Sequence, residues 1–87
     1  MITIKIFGTT PPCVKCKEVE KRALKVAGKY SGQVEVAKFD AISEEGRRYK
    51  VFFTPTVVIN NKVIASGSVI SESEIEKAVK REIGGQP

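Results

Sequence analysis

The chain opens on an alternation. Ile2, Ile4 and Ile6 are interleaved with Thr3, Lys5 and Phe7, the period of two expected of a strand covered on one or both faces. Gly8-Thr9-Thr10-Pro11-Pro12 breaks the pattern and turns the chain. The period then lengthens. Cys16, Val19, Ala23, Val26, Ala27 and Tyr30 recur at three- and four-residue spacing, one apolar helical stripe with the lysines opposite. Proline is accepted in a first turn and Thr10 is a candidate cap. Gly32 ends the helix.

Val34-Glu35-Val36-Ala37-Lys38-Phe39 predicts a second strand closing on Asp40. A long helix joins the first two strands, so they should run parallel in a right-handed crossover. Residues 43–50 read as a short helix capped by Ser43, with Gly46 against it on propensity. Val51-Phe52-Phe53-Thr54-Pro55-Thr56 leads into the β-branched run Val57-Val58-Ile59. Asn60-Asn61 divides this run from Lys62-Val63-Ile64-Ala65-Ser66. That spacing predicts a tight antiparallel hairpin, and Gly67-Ser68 ends the sheet. The last helix carries a capping box in Ser71 and Glu74, with Ile70 and Ile75 as a hydrophobic staple. Ile75, Ala78, Val79 and Ile83 make its stripe, and Gly84-Gly85 stop it. The tail Gln86-Pro87 is expected to fray. The predicted order is β-α-β-α-β-β-α.

The length of 87 residues fits a single domain over 1–87, with enough chain to fold without staples. No apolar run approaches the ~20 residues that span a bilayer. Met1 to Lys5 enter the first strand pattern at once, which leaves no room for a signal peptide. The expected location is the cytoplasm, where cysteine pairs are catalytic, redox-sensing or metal-binding. The net charge of +5 raises nucleic acid as a partner. Much of it sits in Lys15, Lys17, Lys21, Arg22, Lys25 and Lys29, interleaved with Glu18 and Glu20 and without aromatic residues for base stacking. A solvated helix face is the better reading, with no nucleic-acid partner. Histidine is absent, and with it the usual general base near neutral pH.

Against that background the chemistry concentrates in Cys13-Val14-Lys15-Cys16, which holds the only two cysteines. Two thiols at this spacing can close a small disulfide, chelate a soft metal, or do neither. A disulfide closing a loop of about four residues would contribute little as a staple, so the pair reads as chemistry, with redox exchange the first candidate. At about 100° per residue Cys16 falls on the stripe of Val19, Ala23 and Tyr30, with Cys13 at its edge in the first turn. Cys13 should be the accessible sulfur and Cys16 the shielded one. The helix N-terminus favours thiolate. Lys15 and Lys17 are candidates for adding to that effect, within the limits of screening.

Three features then coincide: Cys13-Val14-Lys15-Cys16 after the first strand, Thr54-Pro55-Thr56 before the hairpin, and Gly67 after it. Together they resemble a minimal thioredoxin fold, similar to glutaredoxins and the short thioredoxins of archaea and bacteria. The resemblance covers nearly the whole chain and implies an α/β architecture, a four-stranded mixed sheet with helices on both faces. It implies that Pro55 is cis and lies against the cysteines, and that the Thr54 backbone pairs with an incoming peptide in strand fashion. Val36-Ala37-Lys38-Phe39-Asp40 resembles the thioredoxin segment whose lysine lies near the buried pair. Read from composition alone, Lys38 is a surface lysine at a strand end.

The chain also departs from the family. It has no tryptophan, and Pro12 precedes the first cysteine. Phe7 stands near the place of the family's buried aspartate, so another group or water must help deprotonate the second thiol. Val14-Lys15 matches neither thioredoxin nor glutaredoxin dipeptides. Ser66-Gly67-Ser68-Val69 replaces the glutaredoxin Gly-Gly-acidic signature, which favours a thioredoxin-reductase-type donor over glutathione.

The expected activity is that of an enzyme, a thiol–disulfide oxidoreductase reducing disulfide-containing protein substrates. Cys13 attacks and Cys16 resolves. The protein should act as a monomer without a membrane partner, and with no cofactor or metal beyond the reversible Cys13–Cys16 disulfide. The alternative is a Cu(I)-type carrier using the same two thiols. Carriers of that kind follow a strand-helix-strand-strand-helix-strand order, whereas this chain ends in a capped helix.

Overall fold

Alternation becomes pairing in the computed structural model, which describes residues 2–9, 14–30, 32–51 and 53–84. The elements are β1 (Ile2–Gly8), α1 (Val14–Lys29), β2 (Val34–Asp40), α2 (Glu44–Arg48), β3 (Thr56–Ile59), β4 (Lys62–Ser66) and α3 (Glu72–Gly84). They form one sheet in the order β2-β1-β3-β4. β1 pairs parallel with β2, from Ile2 opposite Val34 to Gly8 opposite Asp40. β3 runs antiparallel to both β1 and β4. This is the minimal thioredoxin fold in a mixed four-stranded sheet. The Thr10 cap, Cys13 and the chain from Gly85 to Pro87 lie outside the described residues.

The two faces of β1 sort the molecule. Ile2, Ile4 and Ile6 point into a core shared with Val19, Ala23 and Val26 of α1 and with Ile75 and Val79 of α3. Burying each of the isoleucine and valine side chains is worth about 1.5–3 kcal/mol, so this face dominates the stability. On the opposite face Phe7 stacks on Phe39 with ring centroids 5.4 Å apart and meets Tyr49 at 5.8 Å. The Lys5 ammonium lies 5.0 Å from the Tyr49 ring centre and 3.0 Å from a Glu45 carboxylate oxygen. The segment around α2 is held to the sheet in this way.

Local signals account for the ends of the elements. Asn60 and Asn61 both adopt positive φ, the left-handed pair that suits a two-residue hairpin turn. The Ser71 hydroxyl accepts the Glu74 N–H at 3.1 Å, and Ser43 accepts the Gly46 N–H at 3.3 Å. A register shift between Val57 and Val58 sets Ala65 opposite the first and Val63 opposite the second. Ile64 is thus the extra residue of a bulge, which no residue pattern announces.

Ion pairs fasten α3 to its neighbours. Lys29 pairs with Glu76 at 3.1 Å and Glu72 at 3.3 Å, Tyr30 donates to Glu76, and Lys62 pairs with Glu82 at 3.1 Å. Lys29 and then Tyr30 hold the Glu76 carboxyl below its ordinary pKa, and Lys62 with Asn60 does the same for Glu82. A lowered carboxyl pKa stabilises the fold above the unfolded carboxylate range, and this contribution disappears as pH falls through the folded value. Raised pKa values at Lys5, from Tyr49 and Glu45, and at Lys29, from Glu76 and Glu72, act at the other end. Their stabilisation is complete below the unfolded lysine value and is lost as pH rises through the folded one. Thermal unfolding should therefore show a plateau around neutral pH and an acid limb that Glu76→Gln combined with Glu82→Gln makes shallower. An unchanged acid limb would remove these carboxylates from the acid response. The pairs face solvent, so salt should weaken their contribution.

Candidate functional site

The site sits where one end of the sheet meets the start of α1. β1 ends at Gly8, β2 at Asp40 and β4 at Ser66, while β3 begins at Thr56. Pairing of Phe7 with Thr56, of Gly8 with Asp40 and of Thr56 with Ser66 brings these four ends to one edge of the molecule. α1 starts at Val14 beside that edge, and Cys16 lies in its first turn with 3% of its surface exposed. The sequence places Cys16 on the buried stripe, and it is there. Cys13, which precedes Val14 in the chain, lies outside the described residues.

Cys16 packs directly over the β1 terminus. A Cβ added to Gly8 would lie 3.0 Å from the Cys16 Sγ and 3.3 Å from its Cβ, tighter than ordinary van der Waals contact. Gly8 therefore leaves room for the sulfur. The Gly8 carbonyl accepts the Ala41 N–H at 2.9 Å, which ties the turn after β2 to the same point. Beside the sulfur opens a cavity of 260 Å³ lined by Ile6, Gly8, Thr9, Cys16, Glu20, Lys38, Phe39 and Asp40. Lys38 Nζ pairs with a Glu20 oxygen at 3.4 Å, and an Asp40 carboxylate oxygen accepts the Ile42 N–H at 3.1 Å. Phe7 is fully buried against aromatic rings, so the carboxylates near Cys16 come instead from α1 and the end of β2.

The structure thus brings Lys38 to the Cys16 cavity while leaving its side chain largely exposed. Both sequence readings of this lysine describe part of its setting. Lys15 and Lys17 are exposed on α1 and do not line that cavity. The sequence pattern does not single out Glu20 and Asp40 as site residues. Glu20 stands four residues after Cys16, the spacing that stacks side chains on one helix face, which is the signal the sequence carries for it. Asp40 reads only as the end of a strand.

The Thr54–Pro55 peptide is cis, as the family resemblance implies, and Pro55 is buried while Thr54 is half-buried. The segment is held from two sides. Pro55 O accepts the Gly67 N–H at 2.8 Å, and the Thr56 hydroxyl donates to Phe53 O at 2.5 Å. Gly67 has φ +76°, and an added Cβ would meet the Phe53 Cβ at 2.9 Å. Both facts call for glycine at that position. The β1–β3 ladder ends with Phe7 opposite Thr56, so Pro55 and Gly8 are the next residues of their chains at the same end of the sheet. Among the described residues the most exposed large apolar side chains are Val14 at 84%, Ile42 at 80% and Phe53 at 66%, each in a segment that adjoins one of these strand ends. They follow β1 and β2 and precede β3 in the chain. The site therefore combines a shielded sulfur with a cavity lined by charged side chains.

Comparison with known proteins gives a consistent picture. A family model described as a thioredoxin domain matches residues 2–80. A thioredoxin of Methanocaldococcus jannaschii is 28% identical over 86 residues, covering 99% of this chain and 95% of that protein. The crystal structure of the germline-specific thioredoxin Deadhead of Drosophila melanogaster is similar at 31% identity. It superposes with a TM-score of 0.70 over 92% of this chain and 79% of that one. Thioredoxin 1 of Thermosipho africanus shares the fold at 23% identity, with a TM-score of 0.68 over 97% and 99% of the two chains.

Proposed function

Because the chain belongs to the thioredoxin domain family, we propose that it is a thiol–disulfide oxidoreductase whose working pair is Cys13 and Cys16. The observation that carries this reading is the setting of Cys16. It is buried in the first turn of α1, directly over Gly8, and opens sideways onto a cavity containing Glu20, Lys38 and Asp40. A merely structural cysteine would have no need of charged neighbours, because burial among apolar groups keeps a thiol protonated and inert.

The steps of this reading are those of dithiol–disulfide exchange. Cys13 attacks a substrate disulfide as thiolate, breaking the S–S bond and releasing one substrate thiol. The Cys16 thiol then loses its proton toward the carboxylates of its cavity. Its sulfur attacks that of Cys13, the mixed disulfide breaks, and the second substrate thiol leaves with a proton. Two electrons pass from the dithiol to the substrate. The exposed apolar side chains of Val14, Ile42 and Phe53 are available to the substrate chain, and the Thr54 backbone next to the cis Pro55 is available for strand-like pairing. Disulfide-containing proteins are the substrates of this reading, and the cytoplasm is its compartment.

Two assays test it. With dithiothreitol as reductant the protein should reduce insulin disulfides many times faster than dithiothreitol alone, and Cys13→Ser should remove that gain. An insulin assay with no gain over dithiothreitol would reject the reading. Re-reduction should proceed with a thioredoxin-reductase-type flavoenzyme and poorly with glutathione, since Ser66-Gly67-Ser68-Val69 offers no Gly-Gly-acidic segment. Efficient turnover with glutathione alone would reverse the choice of donor.

A further inference from the structure

Positive charge on this molecule is neutralised unevenly. Lys5, Lys29, Lys62 and Lys80 each lie within ion-pair distance of a carboxylate. Along α1 the carboxylates are taken by cations to the side: Glu18 pairs with Arg22 at 3.2 Å and Glu20 with Lys38 at 3.4 Å. Lys17, Lys21 and Lys25 are exposed and form no ion pair among the described residues. At four-residue intervals they stand about 6 Å apart in one row, on the side of the helix opposite Val19, Ala23 and Val26. Leu24 is 52% exposed within that row, and these residues line a shallow groove together with Glu20, whose carboxylate is engaged by Lys38. The row begins one residue after Cys16.

We infer that this outward face of α1 is a docking surface for acidic protein substrates, with the lysine row meeting carboxylates and Leu24 supplying the apolar contact. The inference rests on the redox reading, since the partner it describes is the protein whose disulfide reaches Cys13. Charge complementarity selects the partner. A row of unpaired ammonium groups raises the local concentration of an acidic surface and can accelerate encounter by about 10- to 1,000-fold at low salt. A membrane is a poor occupant, because the apolar stripe of α1 is already spent on the core. Nucleic acid is a poorer one than protein, because no aromatic side chain lies among the lysines and Leu24 is wasted against phosphate.

The test compares three disulfides under dithiothreitol: an Asp/Glu-rich peptide dimer, a Lys/Arg-rich dimer of the same length, and neutral bis(2-hydroxyethyl) disulfide. The neutral compound reports the redox centre alone, and a protein inactive toward it loses the redox reading itself. Given that activity, kcat/KM for the acidic peptide should exceed that for the basic one by about 10-fold or more at low ionic strength. The ratio should collapse toward one at ~1 M salt, where the Debye length is about 3 Å. Lys21→Glu with Lys25→Glu should invert the preference, and Lys21→Gln with Lys25→Gln should lie between. Equal rates on the two peptides at low salt, or a ratio that the charge reversal leaves unmoved, would overturn the inference. It would also be overturned if peptide preference were absent and an oligonucleotide of about twelve residues bound the wild type but not the reversed variant.

Discussion

Cys16→Ser is expected to turn the protein into a trap. The Cys13 thiol would still attack disulfides, but nothing would resolve the product, so mixed disulfides should accumulate and multiple turnover should fall to about 1% or less of wild type. Cys13→Ser should trap almost nothing, because the remaining sulfur at Cys16 is 3% exposed and packed over Gly8. The asymmetry follows from helix phase. α1 begins at Val14 and turns Cys16 inward onto the stripe of Val19 and Ala23, leaving the residue that precedes the helix as the candidate for attack. Non-reducing electrophoresis of each variant, incubated with oxidised protein and then treated with dithiothreitol, reads the result directly. Trapping by Cys13→Ser and not by Cys16→Ser would reverse the assignment. Equal trapping by both would favour two similarly exposed thiols, as a metal-carrying loop requires.

Gly46→Ala should destabilise the fold by about 3 kcal/mol or more, as forced overpacking does. Helix propensity alone predicts the opposite sign, a gain of about 1 kcal/mol for replacing an interior glycine by alanine. The difference lies in what the side chain would meet. A Cβ at Gly46 would fall 2.1 Å from Ala41 O and 2.8 Å from its carbonyl carbon, which are backbone atoms that cannot swing aside. Ala41 is itself tied to the Gly8 carbonyl at 2.9 Å, so a displaced turn would disturb the strand end beneath Cys16. Denaturant unfolding of the variant should show a lower midpoint with an unchanged slope, together with a loss of disulfide reduction. A variant more stable than wild type would mean that the Ala41 turn yields freely.

Gly46 also shows how legible the molecule is in its residues. The order of elements, the parallel first pair, the hairpin at Asn60-Asn61 and the Ser71 cap all follow from period and local chemistry, because each signal spans only a few neighbouring positions. Gly46 reads as a blemish in a helix because its reason is a contact with Ala41, and no periodicity encodes such an approach. The bulge at Ile64 is hidden similarly, since an extra residue in β4 leaves its apolar run unbroken. At the site, helix phase points to Cys16, and family resemblance points to Thr54-Pro55 and Lys38. Glu20 follows Cys16 by one helical turn, whereas Asp40 reaches the same cavity because the parallel register sets it opposite Gly8, a relation between positions far apart in the chain.

A working dithiol requires that Cys13 and Cys16 form one two-electron redox couple. Equilibrating the protein across a graded series of thiol–disulfide buffers, quenching with an alkylating agent and weighing the intact chain tests this most directly. Two alkylated sulfurs are expected at the reducing end and none at the oxidising end, converting together in a single two-electron transition of the monomeric chain. Two sulfurs that remain alkylatable across the whole series, or that disappear one at a time into adducts with the buffer thiol, would contradict it.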